Sequence, residues 1–253
     1  MATVNVSTWA DLVAELNAAE ESVITLIDNI TAPDLVTSRI GNASYAKTVN
    51  GNGYKIKNVA TNSALACLFL GGSSASKNIN FNYVDFDEIY ITNNARLFSY
   101  CVLTYCYVSG DLVDSSLNDS GTSYTRCGIK LSGYGNARIR YSSNLNEFNF
   151  CNIELHGVFS NARMELQNSY LSGDFEITDT SSGALSFNNS YISVINANIK
   201  CNADVFSASS SKLLLVNSEL ITGTTLGSVA IPVSTADLLS PSTLRSTYSY
   251  PER

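Results

Sequence analysis

The sequence predicts an all-β solenoid. The first observation behind this is a short pattern that occurs four times: Phe150-Cys-Asn-Ile-Glu-Leu-His-Gly157, Leu166-Gln-Asn-Ser-Tyr-Leu-Ser-Gly173, Phe187-Asn-Asn-Ser-Tyr-Ile-Ser193 and Leu215-Val-Asn-Ser-Glu-Leu-Ile-Thr222. Each copy is a short apolar strand, an Asn-centred bend and a second short strand, and the copies begin 16, 21 and 28 residues apart. An irregular repeat of this length, rich in strands and poor in helix, describes coils that cannot bury an apolar face alone. They stack and share a long, thin core. The second observation is composition: of 253 residues, 45% are hydrophobic and only 15% charged, ample for such a core.

One helix precedes the coils. Thr8, with Asp11 three residues on, is a capping-box-like start. Trp9, Leu12, Val13 and Leu16 fall at i, i+3, i+4 and i+7, a single apolar stripe, with Ala and Glu on the other face through Ala19. A short amphipathic helix in this place covers the open end of the first coil, whose strand ends and core would otherwise meet water. The stretch 22–28 is rich in β-branched residues and reads as a strand, and 29–34 leads into a turn. Within 47–59 a strand, an Asn-Gly-Asn-Gly turn and a second strand follow, the glycines supplying positive φ. Asn-Gly alone would favour a hairpin. Inside a coil repeat it turns one sheet into the next.

The helix, the strand and the segment Val49-Asn-Gly-Asn-Gly-Tyr-Lys-Ile56 resemble the opening of right-handed parallel β-helices of the pectin-lyase-like kind. The opening Val6-Ser-Thr-Trp-Ala-Asp-Leu-Val13 is similar to β-helix proteins encoded by phages and prophages of Gram-positive bacteria. The likeness covers mostly residues 4–59. It implies a single-stranded, right-handed parallel β-helix with a short N-terminal capping helix. It further implies a virion structural protein that decorates a capsid or tail, contacts other virion proteins and assembles as a homo-oligomer such as a trimer.

Coils continue through 79–86, 89–91 and 103–110, and Ile129, Ile139 and Phe148 mark later strands. The polar stretch from Asp111 to Tyr124 loses the apolar period and is expected to protrude as a loop. At ~22 residues per coil, about eight to ten coils are expected. After Gly223 the rhythm fades, and Pro232, Pro241 and Pro251 among Ser and Thr fit a cap and tail. The chain thus divides into an N-terminal strand and capping helix (1–21), the β-helix (22–223) and a C-terminal cap and tail (224–253). Asn152, Asn168, Asn189 and Asn217 align at the four bends. Stacked at the ~4.8 Å strand spacing, their amides can both donate and accept in a structural ladder. A ligand-binding row of amides is the alternative.

Fourteen Tyr stand against one Trp, and Tyr90, Tyr100, Tyr105, Tyr107, Tyr170 and Tyr191 lie in or beside strands. Tyr170 and Tyr191 hold equivalent repeat positions. Stacked tyrosines serve as glycan platforms, as protein-interface anchors or as packing. Among the six cysteines there is no Cys-x-x-Cys pair, and Cys106 and Cys151 sit in apolar runs as small hydrophobes do. Free thiols in a reducing compartment are therefore expected. His156 has no Cys or second His at zinc spacing, so neither a metal nor any other cofactor is expected.

Glycoside hydrolysis needs two flanking carboxylates, and lyase chemistry needs a base with a cation or Arg for the developing enolate. The hydrolase motifs of pectin-lyase-like enzymes (Asn-Thr-Asp, Asp-Asp, Gly-His-Gly and Arg-x-Lys) are missing, Leu155-His156-Gly157 being the nearest fragment, and so is the lyases' calcium-binding Asp cluster. Weaker sets remain. Asp85 and Asp87 share a strand face beside Glu88. Glu154 and His156 do likewise, with Asp174 and Glu176 about one coil later and Arg138, Arg140 and Arg163 as further neighbours. In the catalytic alternative Glu154 or His156 is the base. Otherwise these charges are the solvent side of half-buried strands and discourage edge pairing.

The net charge of −7 and only 15 Lys and Arg exclude counterion-driven nucleic-acid binding and disfavour anionic membranes. Nothing approaches the ~20 apolar residues of a membrane span. The opening Met-Ala-Thr-Val-Asn-Val carries no secretory signal pattern, so synthesis in the bacterial host cytoplasm and residence in the virion are expected. The functional expectation is a non-enzymatic virion structural protein that contacts host or environmental glycans. The alternatives are a tailspike-type polysaccharide depolymerase and a non-catalytic glycan-binding attachment protein.

Overall fold

A computed structural model describes residues 2–61, 67–140, 146–160 and 164–177, and beyond these the strands between Leu185 and Ser246. The strands pair in parallel and form three sheets of ten, fourteen and four strands, here sheets A, B and C. A full coil passes through each in turn. Cys101–Thr104 lies in A, Tyr107–Val113 in B and Ser116–Asn118 in C, and Ser123–Thr125 returns to A. Such parallel crossovers are right-handed. Sheet A, crossed once per coil, holds ten strands, and coil length varies about the ~22 residues expected. The early coils are longer: Ser22 is in register with Lys47, and Lys47 with Ile79.

Alternation builds the core. In Gly128–Tyr134, Ile129 and Leu131 point inward and lie in register with Ile153 and Leu155 of the next coil. Near the N-terminal end four rings fill the interior. Phe69 meets Phe81 at 5.6 Å between centroids, Phe81 meets Phe86 at 5.1 Å and Phe86 meets Phe98 at 5.1 Å. All four are fully buried, each stabilising by about 1.5–3 kcal/mol over an exposed ring.

The helix forms as expected, at Trp9–Asn17. The Asp11 amide donates to Thr8 Oγ1 at 3.2 Å, and the Thr8 hydroxyl donates to the Asp11 carboxylate at 2.6 Å, one bond of the capping box and a variant of the other. Leu12 and Leu16 are fully buried, while Trp9 and Val13 pack part-buried on the core. Trp9 meets Phe69 edge-on at 6.4 Å. The helix C-terminus is satisfied by the next connection: the Asn42 amide donates to Leu16 O at 3.1 Å and the Gly41 amide to Asn17 Oδ1 at 2.7 Å. Under this end Lys47 is buried, its Nζ donating to Ser22 Oγ at 3.2 Å. Burial pulls its pKa down, against Glu15 and Glu20, which raise it.

Two expectations are corrected. Residues 111–124 are not a protruding loop. Asp111 belongs to the sheet B strand Tyr107–Val113, and Ser115, Ser116, Leu117, Asn118 and Tyr124 are buried. The polarity misleads because Ser116–Asn118 is a sheet C strand that buries small polar side chains, and Asn118 Nδ2 donates to the buried Tyr124 hydroxyl at 3.2 Å. Sheet B also runs on past Gly223. Ala236–Leu239 pairs with Lys212–Val216, and Thr243–Ser246 with Glu219–Thr222, so part of the expected tail adds strands.

Candidate functional site

The passage from sheet A to sheet B repeats one geometry. Tyr83, Tyr105, Arg126, Phe150 and Asn168 each hold φ between 49° and 55°, and Val84, Cys106, Cys127, Cys151 and Ser169, the next residues, are buried. A single left-handed residue swings the chain around the corner and sends the following side chain inward. Hydrogen bonding continues through the corner, since the Tyr83 amide donates to Thr104 O at 3.0 Å and the Phe150 amide to Gln167 O at 2.9 Å. The left-handed region costs a side-chain-bearing residue roughly 1–2 kcal/mol. Here the outward side chains recover part of that by stacking. The rings of Tyr83 and Tyr105 lie 4.8 Å apart and 3° from parallel. The Arg126 guanidinium sits 5.3 Å from the Tyr105 ring and 5.8 Å from the Phe150 ring, and donates to the Tyr105 hydroxyl. Tyr83 is 54% and Phe150 56% exposed.

The inner side of this corner is a row of thiols. Cys106 Sγ donates to Phe81 O at 3.2 Å, Cys127 Sγ to Leu103 O at 3.4 Å and Cys151 Sγ to Tyr124 O at 3.6 Å. In the following coil the Ser169 hydroxyl donates to Phe148 O at 2.9 Å. The hydrogen bond with Cys127, and then burial, push the Cys106 and Cys151 thiols up. Those two neighbours pull Cys127 the other way. Cys67, Cys101, Cys106, Cys127 and Cys151 are all free.

Beside the corner, the outward face of sheet B carries regular columns. Asp85, Tyr107, Gly128, Asn152, Tyr170 and Tyr191 stand in register, which bears out the equivalence of Tyr170 and Tyr191. Two residues along the strands lie Ser109, Lys130, Glu154 and Ser172. Tyr107 is 37% exposed, and its ring leans over Gly128, with Cδ2 2.6 Å from where a Cβ would stand. Glu154 joins Lys130 at 3.1 Å and His156 Nε2 at 2.7 Å. The His156 hydrogen bond, then Lys130, hold the Glu154 carboxyl below the usual range despite some burial. Three coils earlier Lys55 pairs with Asp87 at 2.8 Å, and the Ser109 hydroxyl donates to Asp87 at 3.0 Å. Lys55 lowers Asp87, whereas burial raises Asp85. At Glu88 the φ of 57° interrupts the alternation, and Glu88 itself is exposed.

The aligned-Asn expectation is corrected by the register. Asn152 stands opposite Tyr170, not opposite Asn168. Asn149 pairs with Gln167, which puts Phe150 level with Asn168 at the left-handed corner. Of the four asparagines only Asn168 is described there, and Asn189 and Asn217 lie outside the described residues. An amide row does run one residue upstream. Asn50, Asn82, Thr104, Thr125, Asn149, Gln167 and Asn188 share a column, and Asn82 Nδ2 donates to Asn50 Oδ1 at 3.3 Å. Tyr105 is among the tyrosines singled out from the sequence, whereas Tyr83 and Arg126 are not, because position, not residue type, defines the corner. The small buried residue that follows each of them was the usable signal.

The catalytic set is brought together in part. His156 touches Glu154, Asp174 lies opposite His156 and Glu176 opposite Val158 in the backbone register, the side chains of Asp174 and Glu176 being outside the described set. A carboxylate held below its ordinary pKa by two partners is a poor general acid. Arg138–Arg140 lies on sheet C, away from Glu154, and Arg163 is outside the described residues. Among the described residues no group of three His, Cys, Asp or Glu could hold a metal ion, and no helix is long and apolar enough to cross a membrane.

No curated protein and no solved structure matches the chain. Residues 3–204 match the putative pectate lyase-like adhesive domain. That stretch takes in the helix, the thiol row, the corner stack and the sheet B columns, so the chain belongs to the pectate lyase-like adhesive domain family.

Proposed function

We propose that this chain is a non-enzymatic adhesive β-helix, carried as a decoration on a bacteriophage capsid or tail, that contacts host or environmental glycans. One observation carries the adhesive part. Tyr83, Tyr90, Tyr105, Tyr107, Tyr134 and Tyr170 are all exposed, and all stand on sheet B or the corner leading into it. Tyrosine in such a row offers an apolar ring with a hydrogen-bonding tip, the combination that suits a sugar's CH face and hydroxyls. Exposed aromatic patches of this kind mark interaction sites. The virion part rests on the likeness of 6–13 to phage-encoded β-helices and on a stack of coils stiff enough for surface display. Under this reading the partners are other virion proteins and further copies of the chain, as in a trimer, and no nucleic acid or membrane is engaged.

Mass spectrometry of purified particles from the source, with copy number taken against the major capsid protein, tests the virion part. Near-stoichiometric abundance supports capsid decoration, a few copies support a tail position, and absence overturns it. Incubation of the protein with polysaccharides tests the second part. The expected result is binding without new reducing ends. Product release that disappears in Glu154→Gln would replace this reading with a depolymerase built on the Glu154–His156 pair.

A further inference from the structure

We infer that the primary sugar position is the Tyr107 ring where it overlies Gly128, and that it takes a neutral glycan. This rests on the glycan-adhesion reading above and narrows it to one place and one ligand class.

The exposed aromatics are not equivalent. In the corner stack the rings of Tyr83 and Tyr105 face each other, and Arg126 fills the space between Tyr105 and Phe150. A sugar stacks on an open ring face, and the faces inside that stack are already taken. Tyr107 has no ring partner among the described residues, and it leans across the strand of the next coil.

Gly128 is the second, independent observation. It lies inside the strand Gly128–Tyr134, where glycine costs stability. Its φ is not positive, so the backbone does not require glycine there, and the Tyr107 ring supplies all three of the closest atoms a Cβ would meet. Any larger residue at 128 would lift the ring off the sheet. Glycine at this position therefore serves to lay Tyr107 down.

The surroundings set the ligand class. Asn152 is exposed next to Gly128 in the column, and Ser109, Lys130 and Glu154 line the neighbouring one. These offer both donors and acceptors to hydroxyls. Lys130 is matched by Glu154 and Lys55 by Asp87, and the Arg126 guanidinium at the adjacent corner is engaged by the Tyr105 and Phe150 rings. On a chain of net charge −7, a polyanion would meet repulsion.

Native gels containing a soluble polysaccharide provide the test. The probes are hydroxyethylcellulose, glucomannan and dextran as neutral chains, and alginate and polygalacturonate as acidic ones. Wild type should be retarded in at least one neutral gel. Tyr107→Ala and Gly128→Val should bind about tenfold more weakly, while Tyr107→Phe and Tyr105→Ala should keep most of the retardation. Thermal melting of each variant separates lost binding from lost folding. Retardation that survives in folded Tyr107→Ala, or that occurs only in acidic gels, overturns this inference and leaves glycan adhesion standing. A wild-type protein retarded in none of the five gels overturns both.

Discussion

The ring of Tyr83 lies flat against the ring of Tyr105, 4.8 Å between centroids and 3° from parallel, although both residues occupy a backbone region that glycine or asparagine normally fills. The stack holds a strained corner. Tyr105→Ala keeps the strain and loses the ring, so it should destabilise by about 0.5–1.5 kcal/mol. Tyr105→Gly also loses the ring but relieves roughly 1–2 kcal/mol of left-handed strain. Urea unfolding should therefore rank Gly above Ala at position 105, the reverse of the usual order in regular structure.

Two glycines with positive φ should respond very differently to a methyl group. At Gly173, φ is 122° and a Cβ would stand 1.9 Å from Leu155 O, whereas at Gly53, φ is 83° and nothing lies within 4 Å. Gly53→Ala should cost only the backbone term, about 1–2 kcal/mol. Gly173→Ala must also push two coils apart and should cost more than about 3 kcal/mol. Equal melting temperatures for the two variants would contradict the close approach of the coils at 155 and 173.

Alkaline pH should destabilise the fold from within. Burial pushes the Cys101 thiol up to about 12 and raises the fully buried Tyr124 hydroxyl well above its ordinary value. Groups raised in the folded state stabilise fully below their unfolded pKa and lose that contribution as pH rises through the folded value. For Cys101 the loss begins near pH ~8.5 and continues to about 12, at about 1.4 kcal/mol per pH unit. Tyr124 adds to it above about pH 10. Melting temperature should fall across this window, and less steeply in Cys101→Ala.

The thiol row should tolerate oxygen but not bulk. Ser169 occupies the equivalent position in the coil after Cys151 and donates to Phe148 O at 2.9 Å and Gln167 O at 2.8 Å. Cys127→Ser should therefore stay within about 1 kcal/mol of wild type, whereas Cys127→Leu overpacks the corner by about 1–3 kcal/mol. Because the described cysteines are free, adding reductant should leave the wild-type melting curve unchanged.

The coil architecture and the capping helix were legible because both depend on apolar periodicity. The stripe Trp9, Leu12, Val13, Leu16 and the cap at Thr8 transferred directly into the fold. Register was less legible. Aligning the repeats on asparagine set Asn152 beside Asn168, two residues from the true match. Aligning them on the small buried residue pairs Tyr105-Cys-Tyr107, Arg126-Cys-Gly128, Phe150-Cys-Asn152 and Asn168-Ser-Tyr170, as the strands do. Sheet C was hidden for a related reason. Its buried Ser116 and Asn118 look like loop residues until the neighbouring coils supply their packing. The Tyr107 platform depends on one glycine in another coil, a contact between residues 21 positions apart that no local pattern announces.

From Ile79 to Ile177 each corner from A to B is two residues long, but the return from C to A changes length. Tyr100 alone joins Arg96–Ser99 to Cys101–Thr104, whereas residues 119–122 join Ser116–Asn118 to Ser123–Thr125. The return edge thus absorbs large differences in length, while from Ile79 onward the Tyr107 face and the corner stack keep constant spacing. A foreign peptide spliced into that return edge would be held out from the rod on the side away from the sugar-facing surface. The molecule is in this respect a ready scaffold for grafting, with one edge open to new sequence and the opposite corner keeping the coils in step.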